Sequence, residues 1–413
     1  MQSAGGRRQK KFLFTAYCFL LTSAIIPAII QKFKDTSMPK NSENLLIMAA
    51  SEHDANLFYA TRFLAPDDFC FLQIRGKKHL LMNDLEVDRA KSTAEVDQVH
   101  SLSKIAKAYQ EKHGKRGTYL DLVCEFSEQE NAKEFFVPSN FPLSFADPMR
   151  ERGFKLEVRK NPFFPERVIK TKEEVTAVLQ AIRYTETAIG EAIQALKKSV
   201  IKRGKLYLQG SLFTSERLKK IINVSLMQND CIAANSIASC GIQCVDPHDQ
   251  GSGPLYANQS IIMDIFPRHA GTRYYADISR TVVRGKASPK LKKMFAAVIE
   301  GQNYAFKNLR PGVDASVLHT NIQKRFEELG FKTGIQNGRI QGFFHGTGHG
   351  LGLDIHEEPR FGGVKEILKE GQIVTVEPGL YYEDAGGVRL EDDVLITKTG
   401  CTNLVKFPKV LEI

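Results

Sequence analysis

The sequence lacks the cysteine patterns of disulfide frameworks and of structural zinc sites. Its seven cysteines are odd in number and scattered in spacing, and no two of them form a C-x-x-C pair. Such usage is typical of reduced thiols in a cytosolic protein rather than of a secreted, disulfide-stabilised one. Cys240 and Cys244 lie close together but lack the further ligands that a zinc ion needs, so we interpret them as packing residues.

The chain also lacks the charge pattern of a nucleic-acid-binding protein. Its formal charge is +10, but residues 1–40 contribute +6 and the remaining 373 residues only +4. No basic run is interleaved with aromatic residues, so we predict no nucleic-acid partner. Long low-complexity segments and short-period repeats are missing as well. A length of 413 residues, with 42% hydrophobic and 25% charged residues, suits a soluble protein of two domains.

Residues 1–42 form a basic and apolar N-terminal segment with two interpretations. Phe12–Ile30 contains 19 uncharged, mostly apolar residues behind four basic ones, as in a signal anchor with its basic end in the cytoplasm. No clear A-x-A cleavage site follows, which argues against secretion. Alternatively, Met38 is the true start, residues 1–37 are not translated, and the protein is cytoplasmic. Both a membrane-associated and a cytoplasmic protein therefore remain open.

Residues 43–165 are predicted to form a mixed domain without a catalytic pattern. Apolar runs predict strands at Leu45–Ala50, Phe69–Ile74, His79–Met82, Phe135–Val137 and Phe154–Val158. A helix is expected over Ala94–His113, before Gly114. We interpret this domain as a scaffold, a dimerisation surface or a wall of the active site. Residues 161–171 contain two prolines and are expected to be a linker.

Residues 166–413 are predicted to be an α+β domain. Apolar residues at helical spacing, with capping residues at the ends, predict four helices: Lys172–Lys198, Ser215–Gln228, Pro289–Asn308 and Ala315–Leu329. Strands are expected at Ser260–Phe266 and Thr281–Val283, and in two apolar runs near the carboxyl terminus, Val374–Tyr382 and Gly387–Thr397. Helices grouped beside a largely antiparallel sheet make an α+β fold.

A glycine-rich stretch, Gln341–Glu358, contains three histidines. His345 and His349 are four positions apart, which on a helix would indicate a zinc motif. A glycine stands at every second position from 346 to 352, however, and each costs roughly 1 kcal/mol relative to alanine in a helix. We therefore predict an extended or irregular segment that brings His345, His349 and His356 into a cavity.

Four acidic residues lie in or beside apolar, strand-like runs. Asp264 and Asp277 belong to Ile261–Gly285, and Glu377 and Glu391 belong to the two later runs. Carboxylates in such surroundings are costly unless they are paired or bind a cation. Together with His349 they suffice for two divalent ions about 3.5–4 Å apart. This oxygen-rich set suits Mn²⁺, our first choice, or Co²⁺, Zn²⁺ or Fe²⁺.

The order of these residues and motifs resembles a known metallopeptidase family. Two aspartates, then HGTGHGLGLDIHE, VEPGLY and GVRLEDD, are similar to the Xaa-Pro peptidase branch, which comprises prolidase and aminopeptidase P. The resemblance covers about residues 170–413. It implies a pita-bread catalytic domain over residues 166–413 and a creatinase-like domain over residues 43–165. It also implies peptide substrates with proline at the second position, and a homodimer.

The resemblance further implies a role for each site residue. The metal ligands would be Asp264, Asp277, His349, Glu377 and Glu391. Metal-activated water would attack the scissile carbonyl, and Glu377 would carry its proton to the leaving proline nitrogen. The substrate-site residues would be His248, His345, His356 and Arg389. Arg389 would orient Glu391 or bind a substrate carboxylate; alternatively, it is a surface ion-pair partner of a neighbouring aspartate.

One spacing departs from the resembling family. Asp264 and Asp277 are 13 positions apart, about two more than is usual there. We expect the turn around Pro267–Arg273 to absorb the extra residues at little entropic cost. Because the number is even, both aspartates are expected to keep facing the same side.

Three other functions use the same fold. A methionine aminopeptidase does not need the long N-terminal domain, and a creatinase-like amidine hydrolase does not need the five metal ligands. A non-catalytic peptide-binding module would be expected to have lost ligands, whereas all five are present in this chain. A dinuclear Xaa-Pro peptidase is therefore the prediction.

Overall fold

The computed structural model of the protein describes residues 43–413, which form two units. One unit comprises residues 43–169 together with 349–360, and the other comprises residues 170–348 together with 361–413. The predicted N-terminal segment 1–42, with its apolar run and Met38, lies outside the described residues. Between residues 43 and 413, every helix is too short or too polar to span a lipid bilayer.

The first unit contains a six-stranded mixed sheet in the order β4-β3-β2-β1-β5-β6. The strands are β1 Leu45–Ala49, β2 Phe69–Ile74, β3 Lys77–Met82, β4 Gln98–Ser101, β5 Glu134–Pro138 and β6 Lys155–Arg159. The helices are α1 Ala55–Thr61, α2 Val87–Thr93, α3 Leu102–His113, α4 Tyr119–Gln129 and α5 Leu143–Glu151, followed by a 3₁₀ turn at Pro165–Val168.

This sheet is buried on both faces. Along β1, Leu46 and Met48 pack into one apolar cluster, whereas Leu45 and Ile47 pack into the other. Alternate residues of a strand point to opposite faces, so two layers of helices and loops are needed to cover them. An alternation of apolar and polar residues would have indicated a strand with one exposed face. Every residue of β1 is apolar instead.

The predicted helix over Ala94–His113 is wrong in its first half. Gln98–Ser101 forms β4, which pairs in parallel with β3, and the helix begins at Leu102. The Ser101 side chain caps the helix by accepting a hydrogen bond from the Lys104 amide. A pairing with a strand about 20 residues earlier thus overrides the local helical pattern. The other strands predicted in this unit are present, shifted by a residue or two.

The second unit combines four long helices with short strands, as an α+β arrangement. The helices are α6 Lys172–Lys198, α7 Ser215–Met227, α8 Pro289–Asn308 and α9 Ala315–Glu328, with a 3₁₀ turn at Gly241–Val245. The strands before α8 are β7 Val200–Lys202, β8 Lys205–Leu208, β9 Ser211–Leu212, β10 Cys231–Ile232, β11 Ile237–Cys240, β12 Ser260–Ile265, β13 Arg268–His269 and β14 Ile278–Val283.

Nine further strands follow α9. They are β15 Gly334–Gln336, β16 Arg339–Gln341, β17 Gly348–Gly350, β18 Glu357–Phe361, β19 Ile373–Val376, β20 Gly379–Tyr382, β21 Gly386–Arg389, β22 Asp392–Ile396 and β23 Cys401–Asn403. Helices α8 and α9 share an apolar core with residues of β19 to β22. These strands are therefore held against a packed layer of helices.

The four helices predicted in this unit are confirmed, two of them to the residue. Helix α6 begins with a capping box, in which the Thr171 hydroxyl accepts from the Glu174 amide while the Glu174 carboxylate accepts from the Thr171 amide. Its apolar stripe is buried along almost the whole helix. Residues Gln341–Glu358 contain no helix, also as predicted. A side chain at Gly348 would lie 2.0 Å from the Thr375 carbonyl oxygen, so only glycine allows the two backbones to approach this closely.

The extra residues between Asp264 and Asp277 form a short excursion from a hairpin. Strands β12 and β14 are antiparallel with Asp264 opposite Ser279, so Asp277, two residues before Ser279, lies on the same face as Asp264. Between them the chain turns back at Arg268–His269, which pair with β10. The register of this hairpin therefore leaves the two aspartates on one side of the sheet.

Candidate metal centre

Buried acidic residues from separate segments of the chain converge in the second unit. Asp264 is the penultimate residue of β12 and Asp277 directly precedes β14, while Glu391 lies between β21 and β22. Their exposed fractions are 8%, 5% and 2%. The Glu391 amide donates to the Ser279 carbonyl at 3.1 Å, and the Asp277 amide donates to the Asp393 carboxylate at 3.0 Å. Backbone bonds thus hold the acidic segments beside each other.

Three of the five predicted ligands offer ligand atoms that come together. One atom each of Asp277, His349 and Glu391 lies within 4.8 Å of the other two. His349 Nδ1 is 3.1 Å from the Gly350 carbonyl oxygen. Because a carbonyl can only accept, Nδ1 carries the proton, and Nε2 is the nitrogen with ligand character in the neutral ring. Burial, reinforced by the charge of His356, lowers the pKa of His349 to about 3, so the ring is neutral at pH 7.

The other two predicted ligands act electrostatically on this group. Burial raises the pKa of Asp277 well above its ordinary value, and the charges of Glu391 and Asp264 raise it further. Burial likewise raises the pKa of Glu391 well above its ordinary value, and the charges of Glu377 and Asp264 raise it further. Burial also raises the pKa of Glu377 to about 8, against the opposing effect of Arg389. All four carboxylates therefore share one low-dielectric region.

Arg389 is buried within this acidic group and is only 3% exposed. Its Nη2 donates to Asp264 at 2.7 Å, its Nε donates to the Ser279 hydroxyl at 3.0 Å, and its Nη1 donates to the Tyr381 hydroxyl at 3.1 Å. The Ser279 hydroxyl in turn donates to Glu391 at 2.9 Å. The interpretation as a surface ion-pair partner of Asp392 or Asp393 is wrong. Arg389 instead orients Asp264 directly and Glu391 through Ser279.

These residues fit a cationic cofactor on two observations. Among the described residues, the buried Oδ1 of Asp264 has no hydrogen-bond donor within reach, although the other oxygen is bonded to Arg389. Three buried carboxylates and the half-buried Glu377, when ionised, also carry more negative charge than one guanidinium balances, which is unfavourable without further cations. Hard oxygen donors with one neutral imidazole are ligands that Mn²⁺, Co²⁺ or Zn²⁺ accept. The family-derived ligand set therefore matches the chemistry of the site.

His345 belongs to a hydrogen-bonded chain that includes Tyr381. His345 Nδ1 is 2.8 Å from the Gly346 carbonyl, and its Nε2 is 2.9 Å from the Tyr381 hydroxyl. Burial and the charge of Arg389 lower the pKa of His345 to about 3. Nδ1 of this neutral ring therefore donates to the carbonyl, and Nε2 accepts from Tyr381, whose oxygen accepts from Arg389.

The two remaining predicted histidines are exposed. His356 precedes β18, and its ring centroid lies 4.4 Å from that of His349 in an edge-to-face contact. His248 lies close enough to His345 for its charge to contribute to the lowered pKa of that ring. Both positions are accessible to a ligand.

Three buried residues of the site were missed in the sequence. Tyr381 and Ser279 bond Arg389, and Asp393 accepts from the Asp277 amide. A weak signal for Tyr381 was present. Residues alternate between the two faces of a strand, so Tyr381 lies on the same face as Gly379, and Gly379 follows Glu377 by two positions. Ser279 and Asp393 gave no signal, since their partners are more than 100 residues away.

Comparison with protein families gives one match over the second unit. A family model described as metallopeptidase family M24 matches residues 176–398, which is more than half of the chain. This range includes all five predicted metal ligands, as well as His248, His345, His356 and Arg389. The match thus falls on the region that the sequence motifs had singled out.

Curated relatives are similar over most of their own length. The chain is 25% identical over 379 residues to the Xaa-Pro dipeptidase of Pyrococcus horikoshii, covering 91% of this chain and 96% of that protein. It is 27% identical over 340 residues to the Xaa-Pro dipeptidase of Pyrococcus furiosus, covering 80% and 85%. Both similarities therefore extend beyond the matched family region into the first unit.

Solved structures share the fold. An X-Pro aminopeptidase from Thermotoga maritima superimposes with a TM-score of 0.74 at 23% identity, covering 90% of this chain and 97% of that one. An Xaa-Pro dipeptidase from Bacillus anthracis gives 0.75 at 20% identity, covering 90% and 95%. The predicted fold, an α+β pita-bread domain preceded by a smaller mixed domain, is confirmed. The exact limits 43–165 and 166–413 stay a prediction.

Proposed function

Because the chain belongs to metallopeptidase family M24, we propose that it hydrolyses peptide bonds before proline, with the help of two divalent metal ions. The observation that carries the proposal is the convergence of Asp277, His349 and Glu391, with Asp264 and Glu377 acting on the same buried region. The specificity for Xaa-Pro bonds rests on the relatives named as Xaa-Pro dipeptidases. Mn²⁺ is the ion we favour, because most of the ligands are carboxylates.

The proposed ligands are Asp264, Asp277, His349, Glu377 and Glu391. When bound, the ions would supply an activated water at neutral pH and polarise the scissile carbonyl. Arg389 keeps the Asp264 carboxylate in place through a 2.7 Å bond to one oxygen, and the other oxygen has no donor within reach among the described residues. The neutral His349 is oriented by its bond to Gly350.

Glu377 is the proposed proton carrier. Its charge acts on both Asp277 and Glu391, so it lies close to the other acidic side chains. A carboxylate in this position could accept a proton from the attacking water and return it. The leaving nitrogen of proline is a secondary amine and must receive a proton to depart. The amide of Glu377 donates to the Thr347 carbonyl at 2.8 Å, which fixes the backbone at this position.

The histidines are proposed to hold the substrate. His356 and His248 are both exposed, and they would donate hydrogen bonds to the substrate carbonyl and to the charge that develops on it. His345 is neutral and already bonded to Tyr381, so its proposed contribution is to orient that hydroxyl and Arg389. A substrate carboxylate is not needed to explain Arg389, because all three of its nitrogens have partners inside the protein.

We further propose a cytoplasmic homodimer. The support for the location is the cysteine usage, because the six described cysteines are unpaired and five of them are buried. Dimerisation rests only on the resemblance to the family, and the membrane anchor remains the alternative for the undescribed N-terminal segment. Native N-terminal sequencing distinguishes the two locations, and sedimentation of the purified chain measures the oligomeric state.

Cleavage of matched peptides tests the proposal. The purified chain should be stripped with a chelator, reloaded with Mn²⁺ and given Xaa-Pro dipeptides and tripeptides, beside Xaa-Ala peptides of the same length. We expect cleavage of the Xaa-Pro set that disappears with chelation and returns with Mn²⁺. Activity indifferent to the chelator would contradict the metal mechanism, and equal cleavage of the Xaa-Ala set would contradict the specificity.

A further inference from the structure

Arg167 lies in the 3₁₀ turn Pro165–Val168, in a stretch that the sequence suggested was only a linker. Its side chain is 8% exposed and lies within the first unit. Nη1 donates to the Asn56 side chain at 2.7 Å, and Nη2 donates to Asp354 at 2.9 Å. Nη2 also forms an ion pair with Glu357, which is equally buried. A buried guanidinium with two carboxylate partners is a strong, directional anchor.

The two carboxylates that Arg167 binds flank His356 in the sequence. Asp354 comes two residues before His356, and Glu357 comes directly after it. We name residues 351–356, between β17 and β18, the His356 loop. The guanidinium therefore fixes both sides of the exposed histidine, and through Asn56 it connects the loop to helix α1.

Glu357 also shapes the His356 loop from within. Its Oε1 accepts hydrogen bonds from the amides of Leu353 and Asp354, at 2.9 and 3.0 Å. A side chain on Gly352 would lie 2.6 Å from the Glu357 carboxylate, so glycine provides the space for this bond pattern. Without Arg167, the Glu357 carboxylate would lose the cation that helps to hold it in place.

Arg167 and His356 border the same cavity. This cavity has a volume of about 290 Å³ and is lined by residues of the first unit, including Asp354 and Glu357. A peptide side chain or terminus fits such a volume. The orientation of the loop thus determines where the His356 imidazole stands in a space that a substrate can enter.

We infer that Arg167 is a positioning residue, which holds the His356 loop in the geometry that turnover requires by binding Asp354 and Glu357. This inference rests on the proposed function, because it assumes that His356 contacts the substrate. The guanidinium of Arg167 binds Asn56, Asp354 and Glu357, so we assign it a positioning role rather than a catalytic one. A misplacement of about 1 Å caused by a change far from the chemistry can lower the rate about 100-fold.

A double-mutant cycle tests whether Arg167 acts through His356. The Mn²⁺-loaded full chain should be assayed on an Xaa-Pro peptide as Arg167→Gln, His356→Ala and the double variant. We expect Arg167→Gln to lower kcat about 10-fold or more with little change in KM. The double variant should be within about twofold of His356→Ala alone, since the two changes remove one function. Effects that multiply would overturn the inference and assign Arg167 to general stability.

Hydrogen exchange supplies a readout that does not depend on activity. The amides of Leu353 and Asp354 should exchange faster in Arg167→Gln, and Arg167→Lys should restore part of the protection but not all, because lysine lacks the planar fork. Arg159→Gln is the matched control: Arg159 is an ion-paired, largely buried arginine of the same unit, bonded to Glu43. Its removal should leave both amides and kcat unchanged.

The outcomes separate this inference from the proposed function. If the wild-type chain cleaves no Xaa-Pro peptide, the proposed function fails, whatever the exchange experiment shows. If the wild-type chain is active but His356→Ala keeps full turnover, the positioning role of Arg167 is overturned. The proposed metallopeptidase function is then unaffected. Unchanged exchange in Arg167→Gln also overturns the positioning role. Should Arg167→Gln fail to fold, the comparison of Arg167→Lys with wild type decides by the same two readouts.

Discussion

Replacing Arg389 with methionine should destabilise the metal-free protein more than the metal-loaded one. The guanidinium is 3% exposed and donates to Asp264, Ser279 and Tyr381. Its removal leaves the Asp264 carboxylate buried without its cation, and breaking a buried pair from one side costs about 3–5 kcal/mol. Bound divalent ions would compensate part of the Asp264 charge, because Asp264 is one of their proposed ligands. We expect about 3–5 kcal/mol of lost stability without metal, and a clearly smaller loss with Mn²⁺.

Urea denaturation measures this difference directly. The chain contains no tryptophan, so unfolding is best followed by far-ultraviolet circular dichroism. Wild type and variant should be compared after chelation and after reloading with Mn²⁺. Arg325→Met is the control, because Arg325 forms an exposed ion pair with Glu300 in the same unit and should cost at most about 1 kcal/mol in either state. An equal loss with and without metal would refute the link between Arg389, Asp264 and the cations.

Three further predictions follow from the same site. Glu377→Gln should lower kcat by about 10²–10⁴ with a much smaller change in KM, and an equal loss in both would indicate a structural role instead. In the metal-free protein, Glu377 binds a proton more tightly folded than unfolded, so its contribution to stability should fall as pH rises from about 4.5 to about 8. The contribution of His345 has the opposite sign, because its pKa is lowered from 6.5 to about 3 in the folded protein, and stability should rise as pH increases from about 3 to 6.5. Urea midpoints at several pH values check both trends. Tyr381→Phe should cost about 1–3 kcal/mol, because it removes the hydroxyl between Arg389 and His345, and a loss below about 0.5 kcal/mol would contradict that bridge.

The local signals in the sequence were sufficient for the four helices of the second unit, but not for most helices of the first. Helix α6 was predicted to the residue, because Thr171 and Glu174 form a capping box and the apolar stripe is regular. The glycines of the histidine-rich stretch correctly excluded a helix there. The sequence pattern predicted a helix over residues 98–101, where the structure has strand β4. The cause is the parallel pairing of this segment with β3, which outweighed its local helical pattern.

The connections within the site could not be predicted, because they join residues distant in sequence. Asp264 and Arg389 are 125 residues apart, and Arg167 and Glu357 are 190 residues apart. Nothing in the local sequence distinguishes the buried Arg167 from an exposed linker arginine. The motifs therefore indicated which side chains carry chemistry, whereas the side chains that hold them in place required the structure.

The number of metal ions bound per chain tests the central claim most directly. Equilibrium dialysis of the purified chain against Mn²⁺, followed by elemental analysis, should give two ions per chain, and Asp277→Ala should bind fewer with its fold retained by circular dichroism. A wild-type chain that binds no divalent ion, or an Asp277→Ala variant that binds as many as wild type, would contradict the claim that these carboxylates hold a metal pair.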